Sequence, residues 1–182
     1  SNLYEESAGI PLIMAGDGVP AGKICRTPVS LLDSYQTVLD GVGLDLIEDE
    51  KDLKGASWFD IANGADDDDR VVFSEYHAAS SPSGAFMIRK GRYKFVYYAE
   101  YEAELYDLVA DPEETVNLAG DADYGDVVAE YERHLRAICD PVATDRAAKN
   151  MQNALVAKHG GREKAIHLGP KAATPVPGQR EE

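Results

Sequence analysis

Two residues near the middle of the chain, Glu75 and His77, have side chains that could carry out acid–base chemistry or contact an anion. They end a β-rich run that begins at Val71. Residues two apart in a strand point to the same face, so both side chains are expected to face the loop that follows. A carboxylate can hold an imidazole in one tautomer and raise its basicity. The residues alone leave open a second interpretation, in which they are ordinary polar residues that end a strand.

The sequence around this pair predicts a small antiparallel sheet. Small residues follow His77 in Ala78-Ala-Ser-Ser-Pro-Ser-Gly84 and would leave room for a ligand. Beyond them, residues 85–89 and 93–98 predict a hairpin with its turn at Arg89-Lys-Gly-Arg92. A further strand is expected at Leu105-Tyr-Asp-Leu108.

The residues before the sheet predict a strand, a helix and a loop. The apolar run Ile10-Pro-Leu-Ile-Met14 is typical of a strand buried in a parallel sheet. Thr27-Pro28 is expected to open a helix, because Thr is a favoured N-cap and Pro suits the first helical position. Glycines end this helix, and residues 44–70 look like an acidic loop. The apolar face predicted for the helix comprises Val29, Leu32, Tyr35 or Gln36, Leu39 and Val42.

The residues after the sheet predict two helices and a tail. The first helix is expected to begin after Asp123 or Asp126 and to end at Asp140-Pro141. A weaker helix is expected from about Thr144 to Lys158. Residues 169–182 are expected to form an extended tail. The buried face predicted for the first of these helices comprises Val128, Tyr131, Leu135 and Ile138.

Several other polar clusters predict no site. Asp66-Asp-Asp-Asp69 is expected to be a solvated loop, because adjacent side chains converge poorly on one ion. Asp121-Ala-Asp-Tyr-Gly-Asp126 has a glycine where a calcium loop needs a ligand. Cys25 precedes a predicted helix beside an arginine, but no base can be assigned to it, so we expect a structural cysteine. The other histidines, His134, His159 and His167, show no metal-ligand spacing.

The composition excludes some partners. Among 182 residues, 18 Lys and Arg stand against 33 Asp and Glu, which gives a net charge of −15 and disfavours nucleic acid and anionic membranes. No apolar run approaches the roughly 20 residues of a membrane span. Cys25 and Cys139 form no CxxC motif, so a reducing, cytoplasmic compartment is expected. The chain begins without methionine, which suggests a cut from a longer protein, although a processed terminus would look the same.

Several stretches, in their order along the chain, resemble the second half of the type I sulfatases, with choline-sulfatase-like and phosphonate-monoesterase-like members nearest in character. The order and spacing agree over roughly residues 3–138. The matching stretches are Tyr4-Glu-Glu-Ser7, Ile10-Pro-Leu-Ile13, Val29-Ser-Leu-Leu-Asp-Ser-Tyr-Gln-Thr-Val-Leu39, Arg89-Lys-Gly-Arg-Tyr-Lys-Phe-Val-Tyr97, Glu104-Leu-Tyr-Asp-Leu108, Asp111-Pro-Glu-Glu114 and Asn117-Leu-Ala119.

The resemblance implies an α/β, alkaline-phosphatase-like fold of which this chain is a fragment, with a C-terminal antiparallel sheet packed by a helix. Residues 1–69 would end the core domain, 70–139 would form the antiparallel subdomain, and 140–182 a helical extension and tail. Family members hydrolyse sulfate esters with a formylglycine, made from the cysteine of a Cys-x-Pro-Ser-Arg motif, and a divalent cation such as calcium, magnesium or manganese. The resemblance implies both groups in the full-length enzyme.

This chain departs from the family pattern in ways that limit its own activity. Cys25 is not followed by Pro-Ser-Arg at the required spacing, and Asp17 stands where the family has proline. The metal-binding residues and an active-site lysine lie, in the family, before the Tyr4 stretch. We therefore expect no catalytic residue and no metal site in this chain, and we expect Glu75 and His77 to contact the substrate.

Other functions remain open. The chain could be a non-catalytic scaffold or oligomerisation module, or part of a phosphatase or phosphonate monoester hydrolase of the same superfamily. A small-molecule sulfate ester is the expected substrate of the full-length enzyme, and a homo-oligomer formed through residues 140–182 is the expected assembly.

Overall fold

A four-stranded antiparallel sheet is the centre of the fold in the computed structural model, which describes residues 2–78 and 81–168. The strands pair in sequence order, each antiparallel to its neighbour. The predicted hairpin and the predicted sheet are therefore confirmed. The strands are β1 (Val72–Tyr76), β2 (Ala85–Lys90), β3 (Tyr93–Tyr98) and β4 (Glu104–Asp107).

Six α-helices occur in the described residues. Along the chain, three of them precede the sheet and three follow it. Short 3₁₀ turns at Glu48–Glu50 and Ala122–Tyr124 supplement them. The helices are α1 (Glu5–Ala8), α2 (Asp33–Val42), α3 (Trp58–Asn63), α4 (Gly125–Ile138), α5 (Pro141–Lys158) and α6 (Arg162–Leu168).

The main core lies between one face of the sheet and α4. Alternate strand residues point to the same face, so Phe86 and Ile88 of β2 join Phe95 of β3 against the helix. Tyr131 and Leu135 are buried on α4, as predicted. Ile138, predicted on the same buried face, is 49% exposed because it lies in the last turn of the helix.

The turn between β2 and β3 depends on a glycine. Gly91 has a φ of 48°, a left-handed conformation that other residues adopt at a cost. A Cβ atom at this position would also stand 3.0 Å from the carbonyl oxygen of Asp68. Both constraints explain why glycine completes this turn.

The strand predicted at residues 10–14 is absent from the described residues. Ile13 is 90% exposed, and the segment is irregular. A strand requires a neighbour to pair its backbone groups, and no described strand adjoins this segment. The prediction of a buried parallel strand was therefore wrong for the residues described.

The helix predicted from Thr27-Pro28 begins five residues later, at Asp33. The Thr27 hydroxyl does not cap it, because it accepts the Asp67 backbone N–H at 2.8 Å. The predicted apolar face is also wrong, since Leu32 and Val42 are exposed while Asp33 and Thr37 are buried. The predicted end was correct, with a left-handed Gly43 as the C-cap.

A short helix, α3, lies within the segment predicted to be a loop. The Ser57 side chain accepts the Phe59 backbone N–H at 3.3 Å, which is the bond of an N-cap. The Trp58 backbone N–H donates to the Thr37 hydroxyl at 2.8 Å and ties α3 to α2. A serine before an aromatic pair was the available indication of this helix.

The helix α5 begins at Pro141, three residues before its predicted start, because proline suits the first helical position. The chain divides into two compact units, Ser1–Pro141 and Val142–Glu182. Within the described residues, no helix combines the length and hydrophobicity needed to cross a membrane. The tail predicted at 169–182 lies outside the described residues. The predicted division at residues 69 and 139 stays a prediction.

Candidate functional site

Glu75 and His77 come together at the end of β1, as the spacing predicted. The His77 Nε2 atom lies 3.4 Å from the Glu75 Oε2 atom. This distance exceeds that of an ordinary hydrogen bond, so the contact is weak as it stands. The Glu75 side chain is 42% exposed and that of His77 is 19% exposed. The carboxylate therefore reaches solvent while the imidazole is held against the protein.

Packing fixes the His77 ring. The ring meets Phe86 edge to face, with centroids 5.1 Å apart. It also lies over Gly84, where a Cβ atom would stand 2.8 Å from the His77 Cε1 atom. Glycine at position 84 is therefore required for this ring position. A fixed imidazole beside an exposed carboxylate can orient a ligand or hold a proton for it.

An open cavity of about 700 Å³ adjoins the edge of β1. Glu75 and Tyr76 line it from the strand, and Trp58 lines it from α3. His77 is not among the residues that line it. The structure thus places Glu75, but not His77, in the wall of this cavity.

Cys25 lies in a second cavity, of about 420 Å³, and has a structural role there. Its thiol lies 3.8 Å from the carbonyl oxygen of Ile61, on α3. Lys23 also contacts this region, because its ammonium donates to the Ala62 and Gly64 carbonyls at the end of α3. The prediction of a structural cysteine agrees with these contacts.

The four aspartates at positions 66–69 are exposed, as predicted. The first and the last of them contact different partners. Asp66 accepts the Arg26 backbone N–H at 3.0 Å, and this bond lowers the pKa of the Asp66 carboxyl. Asp69 pairs instead with Lys90, at 3.0 Å. Among residues 2–78 and 81–168, no group of three or more His, Cys, Asp or Glu side chains could hold a metal ion. The described residues therefore do not fit the cation that the resemblance implies.

A buried ionic cluster, which was not predicted from the sequence, lies on the face of the sheet opposite α4. The Lys94 side chain is fully buried in β3. Its ammonium pairs with the carboxylates of Glu5 and Glu114. The available indication was the strand pattern. Lys94 lies between Tyr93 and Phe95 in β3, so its side chain points to the opposite face of the sheet from theirs.

A second buried charge, Asp33, organises the segment before the sheet. Its carboxylate accepts the Ser30 backbone N–H at 2.7 Å and the Ala56 backbone N–H at 2.9 Å. The Arg70 guanidinium pairs with it at 2.6 Å, just before β1 begins. Asp33 was predicted to lie within the helix and not at its start, so this role was missed.

Comparison with known proteins gives a consistent set of matches. A model of the family described as "N-sulphoglucosamine sulphohydrolase, C-terminal" matches residues 1–140. Arylsulfatase K of Mus musculus is 29% identical over 148 residues, which are 75% of this chain and 26% of that protein. Choline-sulfatase of Rhizobium meliloti (strain 1021) is 39% identical over 118 residues, 65% of this chain and 23% of that protein.

Solved structures agree with these matches. The structure of a 2-O GAG sulfatase has a TM-score of 0.50 and 30% identity, and the match covers 58% of this chain and 23% of that chain. The chain spans about a quarter of the length of the curated relatives it matches, 26% and 23% in the two named.

Proposed function

This chain belongs to the sulfatase family, and we propose that it supplies the C-terminal part of a sulfuric ester hydrolase. Its sheet and packing helix are the C-terminal portion of the alkaline-phosphatase-like sulfatase fold. The observation that carries the proposal is that one family model spans the N-terminal segment, the sheet and α4 together, residues 1–140. Activity is proposed for the full-length polypeptide, because this chain covers about a quarter of its relatives.

In that polypeptide a divalent cation (calcium, magnesium or manganese) and a formylglycine would supply the electrophilic stabilisation and the nucleophile for attack on sulfur. The described residues of this chain include no cluster of side chains that fits the cation. Their contribution is to recognise the part of the substrate that lies beyond the sulfate and to keep the subdomain in place.

Glu75 and His77 are the residues we propose for substrate recognition. Glu75 is exposed in the wall of the larger cavity, and His77 is held in place by Phe86 and Gly84. The ring nitrogen that we propose to contact a substrate oxygen is Nε2, which lies beside the Glu75 carboxylate, because the Nδ1 side of the ring packs over Gly84. A hydroxyl on the ester could in turn donate to the Glu75 carboxylate.

The substrate class we propose is a small-molecule sulfate ester. Support comes from the similar proteins, which are named as an arylsulfatase, a choline-sulfatase and a 2-O GAG sulfatase. All three names refer to sulfatases, and they differ in the chemical group to which the sulfate is attached.

The direct test is an assay of the purified full-length polypeptide on aryl sulfate, choline sulfate and a matched phosphonate monoester. We expect hydrolysis of a sulfate ester that a chelator abolishes, and no turnover by this chain alone. Hydrolysis of the phosphonate only would assign the polypeptide to the other branch of the superfamily. No turnover of any ester would favour a non-catalytic scaffold.

We also propose that residues 140–182 mediate homo-oligomerisation, in a cytoplasmic protein. Support comes from apolar side chains that α5 leaves exposed, among them Met151 and Leu155. Light scattering on the full chain and on a chain truncated after residue 141 tests this proposal. A truncated chain with the same oligomeric mass would contradict it.

A further inference from the structure

The most unusual charge in the described structure is the ammonium of Lys94. The side chain is completely buried, at the second residue of β3. Its Nζ atom lies 3.0 Å from the Glu5 Oε1 atom and also pairs with the Glu114 carboxylate. Burying an ammonium is costly unless its partners are well placed, so this site stabilises the fold only while both segments stay in position.

Glu114 reaches Lys94 from a constrained turn. Its φ is 54°, a left-handed conformation that a residue with a side chain adopts only at an energetic cost. The Asp111 side chain holds the same turn, because it accepts the Thr115 hydroxyl at 3.0 Å and the Val116 backbone N–H at 2.9 Å. The surrounding contacts therefore keep the Glu114 carboxylate aimed at the sheet.

The same carboxylate reaches the N-terminal segment directly. The Glu5 backbone N–H donates to the Glu114 Oε2 atom at 2.6 Å, at the first residue of α1. Tyr4 adds a second contact, because its hydroxyl donates to the Glu104 carboxylate of β4 at 3.3 Å. Residues 2–8 thus join the sheet through these polar groups and through Leu3, which is buried in a cluster with Met87 and Val96 of the sheet. Charged side chains from two other segments, Lys94 and Glu114, meet at Glu5.

We propose that Lys94 is a positioning residue, which locks residues 2–8 onto the sheet through Glu5 and Glu114 and so fixes where the polypeptide enters this subdomain. The proposal rests on the proposed function, in which the metal-binding residues precede Tyr4 in the full-length enzyme. A loosened entry would displace those residues relative to Glu75 and His77 without removing any group that contacts substrate.

Lys90 is a matched control in the same sheet. Its ammonium also pairs with two carboxylates, Asp69 at 3.0 Å and Glu130 at 3.1 Å, but neither belongs to residues 2–8. Lys94→Met and Lys90→Met therefore remove the same charge from the same sheet. Only the first removes an ion pair to the N-terminal segment.

The test is amide hydrogen exchange in this chain. The amides of Ser7, Ala8 and Gly9 are protected by bonds to the carbonyls of Tyr4 and Glu5. Loss of a charge-assisted bond should speed their exchange about tenfold in Lys94→Met, while exchange at the same amides stays at the wild-type rate in Lys90→Met. Glu5→Gln keeps the Lys94–Glu114 pair and the fold, and it should give the same local acceleration with unchanged exchange in β2 and β3.

A second measurement separates this proposal from the proposed function. In the full-length enzyme, Lys94→Met should lower kcat with little change in KM for the sulfate ester, and Lys90→Met should change neither. Wild-type exchange at Ser7–Gly9 in both Glu5→Gln and Lys94→Met overturns the positioning role, whatever the enzyme does. An inactive wild-type enzyme with accelerated exchange in those variants overturns the function and leaves the anchoring of residues 2–8 in place.

Discussion

The Lys94 Nζ atom and the Glu5 Oε1 atom lie 3.0 Å apart, although 89 positions separate the two residues along the chain. Glu114 completes the cluster from a third segment. Each of the three charges belongs to a different stretch that resembles the sulfatases. Stretches that are scattered in the sequence are thus joined at one buried site, and this contact ties the N-terminal segment to the sheet.

Lys94 should matter far more for stability than Lys90. Removing one member of a buried ion pair leaves an uncompensated charge, so Lys94→Met should lower the free energy of unfolding by about 3–5 kcal/mol. Lys90 pairs at the surface, so Lys90→Met should cost about 1 kcal/mol or less. Urea unfolding of both variants measures the difference. Equal losses in the free energy of unfolding would contradict a larger contribution of the buried cluster to stability.

The contact between α4 and the sheet should depend on Leu135. This side chain is completely buried among Phe86, Phe95 and Tyr131, so Leu135→Ala should destabilise the chain by about 2–5 kcal/mol. Ile138, on the same helix, is half exposed, and Ile138→Ala should cost less than about 1 kcal/mol. Thermal and urea unfolding can compare the two, and a smaller loss for Leu135→Ala would contradict the packing described.

Gly84 should control the position of the His77 ring. The added Cβ of Gly84→Ala would stand 2.9 Å from the His77 Nδ1 atom and 2.9 Å from the Phe86 ring, so a loss of about 1–3 kcal/mol is expected. The His77 imidazole resonances should shift with it. Gly125→Ala is the control, since nothing lies within 4 Å of its added methyl and the change should stabilise by about 0.4–1 kcal/mol. Unmoved His77 resonances in Gly84→Ala would contradict the close contact.

Asp107 should contribute to loss of stability in acid. Burial raises the pKa of its carboxyl, but bonds from Arg92 and from the backbone N–H groups of Ala110 and Val109 outweigh burial, so the pKa is lowered overall. A lowered folded-state pKa contributes stability that is present above the unfolded pKa of about 3.9 and lost as pH falls through the folded value. Asp107→Asn should therefore flatten the fall of unfolding free energy between about pH 5 and pH 3. An unchanged slope would exclude this role.

The sheet could be predicted from sequence because its determinants are local. Alternating apolar residues and the Gly91 turn specify β2 and β3, and their pairing requires only a tight connection. The spacing of Glu75 and His77 likewise placed them together, because strand geometry fixes their common face.

The segment before the sheet could not be predicted in the same way. The apolar run at residues 10–14 satisfies a strand pattern, but a strand forms only beside a pairing partner that the described residues do not supply. The helix start depends on Asp33, whose role comes from Arg70, 37 positions later in the chain. Contacts between distant residues decide these elements. The strand pattern indicates which face Lys94 occupies, but its partners Glu5 and Glu114 are distant in the chain and no local pattern identifies them.

The most direct test of the proposed function measures sulfate ester hydrolysis by the full-length enzyme carrying His77→Ala. His134→Ala is the matched control, because His134 lies on α4 beside Glu130, away from β1. We expect His77→Ala to lower kcat/KM by about tenfold or more, since a lost charge-assisted substrate bond is worth about 1.5–3 kcal/mol. Loss of the Phe86 contact should lower the Tm by only a few degrees, so the enzyme stays folded at the assay temperature. His134→Ala should retain wild-type kcat/KM. Wild-type turnover by the His77→Ala enzyme would contradict the substrate contact proposed for this site.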